Sequence, residues 1–353
     1  MNKSIGSALV ALALVGCNSG NDGPARLSIA ITDAPVDSAD AVVVTFTGLQ
    51  LLDSGGGVRQ SFTFDPPKSI DLLQLQGQQS TFLVEGEAVP VGVYDQVRLI
   101  IDTANASCNN LTGDYASYIT IDGTDYPLIV PSGGASGLKV MGPITVAQGG
   151  TASYTVDFDL RKSIAERGAT GCYNLRPVLR VVDNAQVGTL AGTVDAGLLQ
   201  QAGCTADPVT GAGAAVYVYS GSGVVPDDVD GAFPEPLTSA LLAPKDDGSG
   251  DFGYAVGFLL AGDYTAALTC QAGDDTAEAS ENIAFSGTTD VAIAAGQTTT
   301  RDFTLGAQPT ASPAPTASPE PTASPAPTAS PEPTASPEPT ETPEPTATPA
   351  STS

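Results

Sequence analysis

Apolar and polar residues alternate with period two from Leu27 to Thr32, and again in short runs along most of the chain up to about residue 306. That period places alternate side chains on opposite faces of a strand, one toward a core and one away from it. The pattern predicts strands at Leu27–Thr32, Ala41–Leu52, Gln60–Phe64, Val93–Ile101, Tyr118–Ile121, Tyr126–Val130, Leu138–Val140, Ala152–Leu160 and Asn174–Val182. Glycine, proline and aspartate punctuate the runs, as at Asp33-Ala34-Pro35-Val36-Asp37 and Asp53-Ser54-Gly55-Gly56-Gly57. Short strands at this spacing argue for a β-sandwich. Helical periodicity is confined to Ile70–Gln76 and Lys162–Arg167.

A second series of strands begins at Val187–Val194 and runs through Ala215–Tyr219, Asp251–Val256 and Phe258–Thr265 to Thr299–Leu305. The expected fold class is therefore all-β, with two β-sandwich domains at 26–183 and 187–306. The 353 residues suit two domains of ordinary size. From 307 to 353 the chain repeats Pro-Thr-Ala-Ser-Pro-(Ala/Glu), which has no large apolar residue to bury. Such a tail is expected to be disordered and extended in polyproline II; about 45 residues at ~3.1 Å each reach roughly 140 Å.

The N-terminus departs from the β pattern. Lys3 precedes an apolar run from Ile5 to Val15 that is too short to span a bilayer and has the length of a secretory h-region. The run ends in Leu14-Val15-Gly16-Cys17, which resembles the lipobox of bacterial lipoproteins. That resemblance implies removal of 1–16, a mature protein beginning at a lipidated (palmitate-bearing) Cys17, and a short linker over 17–25. It also implies the membrane as a partner and a place in the bacterial envelope, with the outer membrane expected.

Charge and cysteine content narrow the chemistry. The formal charge of −26, from 39 acids against 13 bases, sets nucleic acid aside. Residues 26–183 hold ten bases against seventeen acids, whereas 187–306 hold only Lys245 and Arg301 against sixteen. Beyond Cys17 there are four cysteines, an even number suited to an oxidising compartment. Four allow three pairings. Cys108 with Cys172 and Cys204 with Cys270 is the pairing that keeps each bridge within one expected domain. With no histidine in the chain, Ser-His-Asp and Cys-His arrangements are excluded.

Several stretches resemble a family. Leu27–Pro35, Ile70-Asp71-Leu72-Leu73, Val89–Tyr94, Pro131-Ser132-Gly133, Gly137-Leu138-Lys139 and Asp157–Ser163 occur in the order seen in a bacterial lipoprotein family known as domain of unknown function 4382. The resemblance implies a β-rich exported domain and imports no activity. The second half is similar to the carboxypeptidase regulatory-like, transthyretin-like sandwich on Phe252–Val256 and Leu260-Ala261-Gly262-Asp263-Tyr264. There glycine makes the turn, and the tyrosine after it covers the end of the core. Val89–Tyr94 follows the same logic in the first half.

Candidate sites are few. Period two in Thr155–Arg161 places Asp157, Asp159 and Arg161 opposite Val156, Phe158 and Leu160; in Asn174–Val182 it places Arg176 and Arg180 opposite Leu175, Leu179 and Val181. These five residues are expected to form one charged, solvent-facing surface, either a ladder of ion pairs or a binding face. No cofactor is expected and no catalytic residue is assigned. The acidic runs Asp227-Asp228-Val229-Asp230 and Asp246–Asp251 (Asp246, Asp247, Asp251) carry oxygens of the kind Ca²⁺ takes, but without EF-hand spacing, and Asp-Gly is turn chemistry first. Gly133–Lys139 lacks P-loop spacing and is expected to be a hairpin loop. The expected function is a non-catalytic envelope binding or adhesion module with a glycan or envelope protein as partner. Carbohydrate binding through the second domain is one alternative, and a carboxylate-based glycan-active enzyme is another.

Overall fold

The computed structural model describes residues 24–34, 39–109, 113–131, 136–168 and 170–306. The expected signal peptide and Cys17, most of the linker, Pro35–Asp37, Gly133–Ala135 of the glycine-rich loop and the repeat tail lie outside those residues.

The first half is built from β1 (Arg26–Ala34), β2 (Ala41–Leu52), β3 (Val58–Asp71), β4 (Thr81–Ala88), β5 (Gly92–Ile101), β6 (Tyr118–Ile121), β7 (Thr124–Ile129), β8 (Leu138–Val146) and β9 (Thr151–Asp159). A single helical turn, α1 (Leu160–Ser163), then leads to β10 (Ile164–Glu166), β11 (Tyr173–Leu175) and β12 (Leu179–Asp183). One sheet has the order β12-β9-β1-β4. The other runs β10-β11-β7-β6-β2-β5-β8, with β3 on the flank of β2. Leu27, Ile29 and Ile31 of β1 meet Val42, Val44 and Phe46 of β2 in the core between them.

The apolar phase of β2 flips after Phe46, so that Leu49 and Leu51 face inward instead of the even-numbered residues. A register shift at Phe46/Gly48 against both β3 and β5 produces the flip. This is a β-bulge. Gly48 fits there because a Cβ would run into the Phe62 carbonyl.

The strands depart from the expected pattern in several places. β3 continues past Phe64 through Pro66 and Pro67, which is tolerated because this strand pairs with β2 alone. β4 had no strand expectation: Leu83 and Val84 are consecutive and both buried, so the alternation is hidden by irregular pairing with β1. The run expected as one strand over Asn174–Val182 is split at Pro177 into β11 and β12, which belong to different sheets.

The second half comprises β13 (Val187–Val194), β14 (Ala215–Ser220), β15 (Thr238–Leu241), β16 (Ala243–Pro244), β17 (Phe252–Leu260), β18 (Gly262–Thr269), β19 (Phe285–Ile293) and β20 (Thr298–Thr300). They form two four-stranded sheets, β16-β17-β13-β20 and β15-β14-β18-β19. Leu190, Val216, Val218, Phe252, Leu259 and Leu268 fill the core. The other face of β14 is also buried: Ala215, Tyr217 and Tyr219 pack with Val229, Ala267 and Ala272. Cys108 is bonded to Cys172 and Cys204 to Cys270, with Cα–Cα separations of 5.5 and 5.2 Å.

Both halves carry the tyrosine device. The Tyr94 hydroxyl donates to the Pro90 carbonyl, and the Tyr264 hydroxyl donates to the Leu260 carbonyl at 2.8 Å. In each case the phenol closes its own turn four residues back.

Candidate functional site: a charged junction between the sandwiches

β1 and β9 are parallel neighbours at the centre of their sheet, and β12 lies antiparallel on the other side of β9. That register sets Arg180 directly opposite Asp157. Its Nε and Nη2 meet Asp157 Oδ2 at 2.6 and 2.5 Å. Asp157 is only 6% exposed. Burial pushes its carboxyl up, while the Arg180 guanidinium pulls the other way.

Asp33, on β1, is also buried, and neither carboxylate oxygen has a hydrogen-bond partner. Burial above all, then the nearby Asp157, Asp159 and Asp71 carboxylates, push Asp33 well above its ordinary 3.8. Asp33 and Asp157 line a void of about 10 Å³ closed by Thr238, Ser239, Val256 and Phe258 of the second sandwich.

Asp159 turns the chain from β9 into α1 by accepting the Lys162 N–H at 3.2 Å. The Lys162 Nζ lies 3.1 Å from Asp159 and 3.3 Å from Glu235, and also donates to the Pro236 carbonyl. The preceding residue, Arg161, is buried against the second sandwich. Its Nη1 donates to the Tyr217 hydroxyl at 2.7 Å and to the Ala272 carbonyl at 3.0 Å, and lies 4.0 Å from Asp275. Tyr217 in turn donates to Asp275 Oδ2 at 2.5 Å, and the Val229 N–H donates to Asp275 Oδ1 at 3.1 Å. Burial raises the Asp275 carboxyl; these hydrogen bonds and Arg161 oppose it.

A backbone contact completes the junction, with the Gly257 N–H donating to the Gly77 carbonyl at 3.0 Å. A methyl group on Gly257 would collide with that carbonyl. Phe258 beside it takes a φ of 55°, a left-handed conformation rare outside glycine. Hollows of about 400 and 330 Å³ open on either side of this contact, the larger walled by Ala240, Ala243, Pro244, Lys245 and Tyr254.

The expected single solvent-facing surface of five residues is therefore corrected. Asp157 and Arg180 pair, and Asp159 joins Lys162. Arg161 departs because β9 has already given way to a helical turn, and Arg176 is exposed in the connection created by Pro177. The face is covered because the second sandwich packs on it. Asp33, Tyr217, Glu235 and Asp275 were missed from the sequence. For Tyr217 a signal existed: the unbroken apolar run Ala215–Tyr219 marks a strand buried on both faces.

The acidic runs also come apart. Asp247 accepts the Ser249 hydroxyl and N–H and lies 2.9 Å from Lys245, which lower its carboxyl, and Asp251 accepts the Ala196 N–H at 3.2 Å. Asp227 accepts the Asp228 N–H and Asp230 that of Ala232, as turns do. Asp228 is grouped instead with Asp275 and Glu281.

Comparison with known proteins bears on the first sandwich. Residues 24–177 match the family described as Domain of unknown function (DUF4382). The matched stretch holds β1 to β11 and α1, including Asp33, Asp157 and Arg161, while Arg180 and the second sandwich lie beyond it. No curated protein sequence matches the chain. Among solved structures, the Bacillus anthracis TIE protein is similar at 10% identity over 78% of this chain and 34% of its own, with a TM-score of 0.17. This chain thus spans about a third of that protein. The minor pilin GBS52 of Streptococcus agalactiae is similar at 11% identity over 81% and 99% of the two chains, with a TM-score of 0.16. The fimbrial anchor protein Mfa2 from Porphyromonas gingivalis is similar at 10% identity over 76% and 83%, with a TM-score of 0.18. Likeness at this level does not bear on what the chain binds. No helix among the described residues is long and apolar enough to cross a membrane.

Proposed function

We propose that the chain is a non-catalytic binding or adhesion module of the bacterial envelope, anchored to the outer membrane through a lipid on Cys17. The observation that carries the non-catalytic reading is the fate of the converging carboxylates. Asp33 and Asp157 face a void of about 10 Å³, room for a single water and not for a sugar ring. Glycoside hydrolysis needs two carboxylates on either side of a bound sugar. Here the neighbouring charges instead join one sandwich to the other through Arg161 and Lys162.

Carbohydrate recognition is the weaker alternative. Sugar sites stack rings on exposed aromatics, and the chain has no tryptophan. Each of its ten tyrosines is buried or half-buried, and the exposed rings Phe82 and Phe233 stand singly, one on each sandwich. An envelope protein is the partner better suited to the small apolar residues and single amine around the larger hollow.

The test is retention. Cys17→Ser is expected to move the chain from the membrane to the soluble fraction, because the acyl chains supply the membrane affinity. The soluble form should then be retained by isolated envelopes, and protease treatment of those envelopes should abolish retention. Membrane residence of Cys17→Ser would overturn the anchor. Sugar release from envelope polysaccharide that disappears in Asp157→Asn would overturn the non-catalytic reading.

A further inference from the structure

Asp228 lies in the connection between β14 and β15, and Asp275 and Glu281 lie in the connection between β18 and β19. Although Asp228 and Glu281 are 53 residues apart in sequence, each of the three offers a carboxylate oxygen within 4.8 Å of the other two. A cluster of this kind is common on protein surfaces, but here a second feature sets it apart. Asp228 is only 1% exposed; its Oδ2 accepts the Glu281 N–H, while its Oδ1 is buried and has no partner. Leaving such an oxygen unsatisfied is costly, and more so for a charged group.

We propose that Asp228, Asp275 and Glu281 bind one Ca²⁺. The charge balance favours a divalent ion: against three carboxylates the neighbouring cation is Arg161, 4.0 Å from Asp275, and two negative charges are left over. The donor set is all hard oxygen, which excludes the metals that seek sulfur or nitrogen. The three donors come from two separate loops, and Ca²⁺ accepts such irregular oxygen geometry where Mg²⁺ demands a near-ideal octahedron and sheds its water reluctantly. Glu281 is half-buried, so its side of the site admits the waters that Ca²⁺ needs to reach six or more ligands.

The ion would pin together two loops that also grip the first sandwich. Asp275 holds Tyr217, which receives Arg161; Ala272 receives Arg161 directly; and Glu235 and Pro236, beyond Asp228 on its loop, receive Lys162. Calcium would thus stiffen the junction without touching the first sandwich.

Terbium luminescence on the soluble Cys17→Ser chain tests the site. Tyrosine is the only sensitiser, since the chain lacks tryptophan, and Tyr217 is hydrogen-bonded to a proposed ligand. Tb³⁺ emission should saturate, be displaced by Ca²⁺ well before Mg²⁺, and be matched by a rise in melting temperature with Ca²⁺. Asp228→Asn, which keeps the shape and removes one charge, should weaken the apparent affinity at least tenfold, a threshold we set at about 1.4 kcal/mol. Glu281→Gln, at the half-buried edge, provides the same reading should Asp228→Asn fold poorly. Asp247→Asn, in the other acidic loop, should leave binding unchanged. Absence of any calcium-dependent shift in the parent chain, wild-type affinity in both Asp228→Asn and Glu281→Gln, or loss of binding in Asp247→Asn would overturn the assignment.

Discussion

The Nη1 of Arg161, in the first sandwich, donates to the Tyr217 hydroxyl of the second at 2.7 Å, with the Asp275 carboxylate immediately behind. The Arg161 and Asp275 side chains are 6% and 0% exposed. Removing one member of a buried charge pair leaves the other desolvated and alone, at a cost of about 3–5 kcal/mol. Arg161→Ala should therefore lower the urea midpoint sharply. Arg161→Lys should recover only part of the loss, since the shorter side chain sets its ammonium short of the point from which Nη1 reaches both Tyr217 and Ala272. A midpoint within error of wild type in Arg161→Ala would remove this contact from the account of the junction.

Asp157 and Arg180 offer a second test. Because Asp157 is buried and Arg180 a quarter exposed, Arg180→Ala should cost about 2–4 kcal/mol, well above the ~1 kcal/mol ceiling of surface pairs. A double-mutant cycle with Asp157→Asn should give a coupling energy of at least about 1 kcal/mol. Additive losses would mean that the two residues act separately. Exposed Arg176 should tolerate alanine within about 0.5 kcal/mol.

Asp33 predicts a pH dependence of definite sign. Its folded-state carboxyl titrates well above 3.8, so between 3.8 and that raised value the folded chain holds a proton that the unfolded chain has lost. Stability then falls as pH rises through this window, and Asp33 weakens the fold at neutral pH. Asp33→Asn should raise the melting temperature at about pH 7, and the gain should shrink toward about pH 4. A gain that grows on acidification would contradict the burial of Asp33.

The paired tyrosines give a prediction common to both sandwiches. Tyr94→Phe and Tyr264→Phe each remove a hydroxyl that closes a turn on a carbonyl four residues earlier. Each should cost about 1 kcal/mol by chemical denaturation, the usual net worth of one such bond. No loss in either variant would mean that water replaces the hydroxyl at both turns.

Local alternation and its punctuation are enough to determine the all-β class and most strand positions. β2, β6 and β13 begin and end where the apolar pattern places them, because a strand with one face in a core needs little beyond its own residues to be legible. The Gly262–Tyr264 turn is legible for the same reason, being closed by residues near in sequence. Tertiary structure decided the rest. Period two places Asp157 opposite the core, but it says nothing about what packs on that opposite face. Only the arrival of Val256, Gly257 and Phe258 turns a surface charge into a buried one. Arg161 reads as part of the same strand until Asp159 caps a helical turn and redirects it toward Tyr217. Asp228 has two aspartates as sequence neighbours, yet its partners are Asp275 and Glu281, brought in by a separate loop. Contacts between residues far apart in the chain depend on how whole sheets pack, and no local periodicity encodes that.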